Sequence, residues 1–154
     1  MERLILWALL LVGITLLIFS LRKPFIKDWI LIFLLNAYLS TFIGVLVVEE
    51  NMLEYPIRFL GNFFTSSLLY EYLLFPVACI YFYQKTYNSS FKGIFLYCLM
   101  FTSGLTVIEV LFERYTDLIE YHTWTWKHTF ISTFILMFFI RIIMQLINQK
   151  ESKI

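Results

Sequence analysis

The sequence predicts an all-α polytopic membrane protein: a bundle of five transmembrane helices, with a short interfacial helix in the outer loop after the second. Three observations point there. The 154 residues are 60% hydrophobic and 15% charged, with a mean hydropathy of +0.78, whereas soluble domains average about 45–50% apolar and about 25% charged. The apolar residues fall into five long runs, each close to the ~20 residues a helix needs to cross a hydrocarbon core of about 30 Å. Trp and Tyr collect near the ends of those runs, where an amphipathic ring suits the headgroup level. Such a composition excludes a water-soluble enzyme, a nucleic-acid binder and a disordered segment, because a soluble chain this short needs a far more polar surface. The net charge of +1 implies no bulk electrostatic partner. There is no repeat, linker or low-complexity stretch, so the chain reads as a single integral membrane domain.

The first run, Leu4–Leu21, is uncharged and ends at Arg22-Lys23-Pro24, where cations meet a helix breaker. It is longer than a signal-peptide core and is followed by no small-x-small cleavage pattern, so it is expected to stay as an anchor. The second, Trp29–Val48, is closed by Glu49-Glu50. In the loop that follows, Pro56 suits the first turn of a short helix and Gly61 its end; Ile57, Phe59 and Leu60 give that helix an apolar side for the membrane surface. The third run, Phe63–Tyr83, contains Glu71 and Pro76; the fourth, Ile94–Phe112, carries Glu109; the fifth, His128–Ile147, carries Arg141. Runs this long favour helix over strand, and the alternating ten-residue segments of a barrel are missing. The tail from Asn148 is short and polar and is expected to fray.

Charge sets the orientation. Arg22, Lys23, Lys27, Lys85, Lys92, Lys150 and Lys153 collect on one side, and most of the acids on the other. The first side is expected to be cytoplasmic, with the N-terminus outside and the C-terminus inside.

Ionisable groups at membrane depth cost roughly 2.5–3.5 kcal/mol each on insertion scales, so Glu71, Glu109 and Arg141 need reasons. At about 1.5 Å rise per residue, Glu71 and Glu109 both lie in the outer half. His128 caps the fifth helix at that level, and Arg58 lies in the adjoining loop, which makes Glu71, Glu109, His128 and Arg58 the candidate ligand or proton site. Pro76 cannot donate to the carbonyl of Tyr72, so a bend and a freed carbonyl are expected one turn below Glu71. Arg141 lies too deep to pair with Glu71. It is expected to snorkel to the cytoplasmic face or to hydrogen-bond Asn36 in a polar core. A purely structural polar cluster is the first reading of these residues, ahead of a ligand or proton site, with a metal site last. No Cys or His pair has zinc spacing, no cofactor motif is present, and Cys79 and Cys98 read as small core residues. Ser40-x-x-x-Gly44 and Thr102-Ser103-Gly104 are candidate close-packing patches.

At Lys27-Asp28-Trp29-Ile30, Tyr55-Pro56-Ile57-Arg58, Glu71-Tyr72-Leu73-Leu74-Phe75-Pro76 and Trp124-Thr125-Trp126-Lys127-His128-Thr129-Phe130, the chain resembles a family of small multi-pass membrane proteins found mainly in spore-forming Gram-positive bacteria. The likeness runs from Arg22 to about Arg141. It implies a bacterial plasma-membrane protein and carries over no catalytic residues, since the biochemical function of that family is not established. Glu71 stands where many relatives are expected to have Asp, which keeps the acid. Three functions follow as expectations. The first is a structural or partner-binding membrane component, with membrane lipid, a second copy or another membrane protein as partner. The second is a small-solute or proton-coupled transport component using the Glu/His site. The third is a membrane-embedded lipid-modifying enzyme.

Overall fold

The computed structural model describes residues 1–152. Its five α-helices are α1 (Glu2–Leu21), α2 (Ile26–Glu49), α3 (Phe75–Thr86), α4 (Phe91–Tyr115) and α5 (Trp126–Glu151). A π-helical segment, Leu69–Leu74, runs directly into α3. Four helices (α1, α2, α4 and α5) are long and apolar enough to cross a membrane. The third element is shorter than its apolar run, because Phe63–Ser67 stay in the loop.

Helices α2 and α5 pack together, α4 lies against α5 and α3, and α3 closes the ring against α2. The main core sits inside this ring, where Ile32, Ile80, Phe82, Cys98, Met137 and Met144 are fully buried. Helix α1 lies outside the ring, against the π segment, α3 and α2. In lipid such packing comes from close contact rather than from expulsion of water. Gly13 provides it for α1: a Cβ there would stand 2.7 Å from Leu73 Cδ2. Cys79 and Cys98 are buried, free thiols.

The surface helix expected in the outer loop does not form. Residues 50–68 make turns instead, and Arg58 organises them. Its guanidinium donates to the carbonyls of Phe64 (2.7 Å), Gly61 (3.3 Å) and Tyr55. A side chain that saturates loop carbonyls removes the need for an intrahelical ladder. The loop is held to the α4–α5 connection by a two-residue antiparallel bridge, β1 (Leu53–Glu54) with β2 (Glu120–Tyr121). Next to it, the single carbonyl of Met52 accepts from the amides of His122, Thr123 and Trp124.

Two expectations about the opposite end are corrected as well. The tail does not fray at Asn148, because α5 continues through it; Asn148 Nδ2 donates to Asp28 Oδ2 (3.1 Å) and the Tyr83 hydroxyl (3.0 Å). Residues 153 and 154 lie outside the described residues. Arg141 neither snorkels nor meets Asn36. It is 5% exposed and donates to Thr86 Oγ1 (3.1 Å) and to the Thr86 carbonyl (3.0 Å) at the end of α3, with its guanidinium 4.8 Å from the Tyr83 ring centre. A cation at the C-terminal carbonyls of a helix also meets the negative end of its dipole. Asn36 is fully buried, and neither amide atom has a partner among the described residues.

Candidate functional site

The long-loop end of the bundle gathers the polar chemistry, and the π segment places its central group. Phe75 N–H donates to the Tyr70 carbonyl, a five-residue step. In that register the next carbonyl, that of Glu71, would take its hydrogen bond from residue 76. Residue 76 is proline and has no N–H. The carbonyl freed by Pro76 is therefore Glu71's and not Tyr72's, and Ser40 Oγ of α2 donates to it at 2.7 Å. This bond, together with the wider π turn, presses the Glu71 side chain against α2. A Cβ built on Gly44 would stand 1.8 Å from Glu71 Oε1. The Ser40-x-x-x-Gly44 pair is thus a notch for one glutamate: serine holds its backbone and glycine makes room for its carboxyl. The other small patch has no such use, since Gly104 faces open space while Thr102 is buried.

Glu71 is 3% exposed, and its Oε2 has no hydrogen-bond partner among the described residues. Glu109 of α4 lines the same small void, of about 80 Å³, with Tyr55, Tyr70 and Trp124 among its walls. Glu109 is differently provided for. Its Oε1 accepts from the Tyr121 hydroxyl (2.6 Å) and from Thr129 Oγ1 (2.7 Å), and Thr129 in turn accepts from Trp124 Nε1 (2.7 Å). The β1–β2 bridge fixes Tyr121 for this role. Burial, followed by the charge of Glu109, pushes the Tyr121 phenol up; burial, followed by Glu109 and Glu71, pushes the Tyr55 phenol well above its ordinary value. Both are neutral donors at physiological pH.

A larger cavity, about 500 Å³, adjoins the void. Helices α1 and α4 pack on α3 from either side and hardly touch each other. The groove between them has α3 as its floor, with Val77, Ala78 and Tyr81. Its walls include Leu16 of α1 and Ile108 of α4, which are 41% and 51% exposed, so the groove opens sideways from the bundle. Tyr55 and Ile57 from one loop, with Leu118 and Ile119 from the other, line it at the long-loop end. Tyr55, Tyr70 and Glu109 line both spaces and form the partition between them.

The four candidate site residues separate into two pairs. Glu71 and Glu109 share the void. Arg58 is occupied with its own loop, and His128 is exposed at the start of α5, where its Nδ1 accepts from the Thr125 amide at 3.2 Å in a capping box. Reading the sequence alone missed Tyr55, Tyr70, Tyr121 and Thr129, and took Ser40-x-x-x-Gly44 only as a close-packing patch, although that spacing was the available signal for the notch. No protein-family model matches the chain, and no curated protein or solved structure is similar to it.

Proposed function

We propose that this protein is a five-span plasma-membrane component, with its N-terminus outside, that binds a membrane lipid in the groove between α1 and α4. The observation that carries the reading is the groove itself: apolar, open sideways, and ending beneath two loops beside the buried Glu71 and the half-buried Glu109. Its volume of about 500 Å³ falls in the usual range for ligand pockets, about 300–1,000 Å³. A long-chain amphiphile entering from the bilayer places its tail on Val77 and Ala78 and its polar end towards Tyr55. The third span combines the π segment with α3, together 18 residues, or at most about 27 Å at the α-helical rise. The excess of Lys and Arg at the short-turn end supports the orientation. Lipid chemistry, one of the other two functions expected from the sequence, would begin with such binding; small-solute or proton-coupled transport would not need it, and His128 does not line the void.

The test is photolabelling of the purified chain with a diazirine-bearing fatty alcohol, followed by peptide mapping. Label is expected on the groove faces of α1, α3 and α4, and Ala78→Trp, which fills the floor, should lower it at least fivefold. Label spread evenly over every outward helix face, α5 included, and indifferent to Ala78→Trp would overturn the proposal.

A further inference from the structure

The small void beyond the partition has a chemistry of its own. Two carboxyl groups, Glu71 and Glu109, line it, and no Lys, Arg or His does. A buried carboxyl is costly to ionise unless a cation pairs with it; the protein supplies no cation here, and Glu71 Oε2 and the neighbouring Ser66 hydroxyl are both buried without a well-aligned hydrogen bond among the described residues. Both donors to the half-buried Glu109 meet the same oxygen, Oε1, so Oε2 has no protein donor among the described residues. Tyr55, Tyr70 and Trp124 also line the void, and aromatic side chains attract cations by about 0.5–2 kcal/mol depending on desolvation. Contrast the other end of the molecule, where the buried cation Arg141 has protein partners.

We infer that the void takes a primary ammonium group, and that the ligand of the groove is a long-chain amine-headed amphiphile. Its tail occupies the groove, and its –NH₃⁺ passes the partition to lie between Glu71 and Glu109. Three N–H donors suit such a site: one for Glu71 Oε2, one for Glu109 Oε2 and one left for a phenol. The void of about 80 Å³ admits an ammonium and its first carbon and excludes a bulky head. The assignment rests on the groove binding an amphiphile, and it adds the identity of the head.

The experiment is competition against the diazirine label on the full chain in detergent, with dodecylamine, dodecanol, dodecanoate and ammonium chloride as competitors at pH 7. Dodecylamine should compete at a concentration at least tenfold below that of dodecanol, with dodecanoate weakest and ammonium chloride without effect. Glu71→Gln and Glu109→Gln should each erase most of that preference and leave dodecanol competition unchanged. If amine and alcohol compete equally on the wild-type chain, the head assignment is wrong while the groove stands. Competition by none of the three alkyl probes would mean that the groove reading itself has failed. Competition by ammonium chloride as strong as by dodecylamine would assign the void to a free cation and overturn the amphiphile. The wild-type panel decides these outcomes even if a variant does not fold.

Discussion

The two ends of the bundle treat a buried ionisable group in opposite ways. At the short-turn end Arg141 is 5% exposed, yet it has two hydrogen bonds to Thr86 and lies over the Tyr83 ring; Asn148 then ties Tyr83 to Asp28. At the long-loop end Glu71 is 3% exposed, with an oxygen that nothing in the described chain satisfies. Desolvation opposes both. Where the fold itself supplies the partners, the buried charge ties helices together. Where the fold builds a notch and a small void beside an acid without a cation, the partner is to be sought outside the chain. A polar residue's depth in a membrane therefore says less than the count of its partners.

Three comparisons of variants sharpen or break this contrast. The largest effect is expected at the Gly44 notch. Gly44→Ala drives a methyl into Glu71 Oε1 and should destabilise the protein by about 1–3 kcal/mol, the usual cost of overpacking. In a Glu71→Ala background the same change should be close to neutral. Thermal denaturation in micelles of the four members of this cycle reads the coupling; strictly additive losses would show that the carboxyl does not occupy the notch.

The next effect compares the ends directly. Arg141→Ala deprives the Thr86 carbonyl of its donor and should cost about 1–3 kcal/mol. Glu71→Gln removes no protein hydrogen bond from Oε2, so without ligand it should change stability by less than about 0.5 kcal/mol, the range of substitutions that break no named interaction. Equal melting-temperature losses for the two variants would contradict the contrast drawn above. The smallest effect has the opposite sign. Asn36, one turn before Ser40 on α2, is buried with both amide atoms unpartnered. Asn36→Leu should leave stability unchanged or raise it by up to about 1 kcal/mol, since removing an unsatisfied polar group relieves its desolvation cost. A clear loss on the same melt would reveal a bound water or a partner for Asn36.

Much of the architecture was legible in one dimension, because a bilayer imposes a length and a composition on whatever crosses it. The apolar runs of α1, α2, α4 and α5 coincide with helices to within a few residues, except that α5 continues about one turn beyond its run, into the tail from Asn148. The third run was overextended: Phe63 and Phe64 are apolar, but Arg58 draws the Phe64 carbonyl into the loop. The surface helix failed for the same reason, since Pro56 and Gly61 signal helix ends without saying whether the carbonyls between them have a better donor. Asn148 and Arg141 were misread because their partners, Asp28, Tyr83 and Thr86, lie more than fifty residues away in the chain.

By itself the sequence determined that the chain is helical and suited to lipid, and that two acids fall in the same half of the bundle. Those are matters of composition and rise per residue, which act locally. Only the tertiary structure decided which acid is satisfied. It moved the carbonyl freed by Pro76 onto Glu71, set Ser40 and Gly44 opposite it, brought Tyr121 and Thr129 to Glu109, and splayed α1 from α4 to open the groove. Hydrogen bonds and cavities belong to pairs of helices, and how those helices face each other is settled by the packing of the whole bundle.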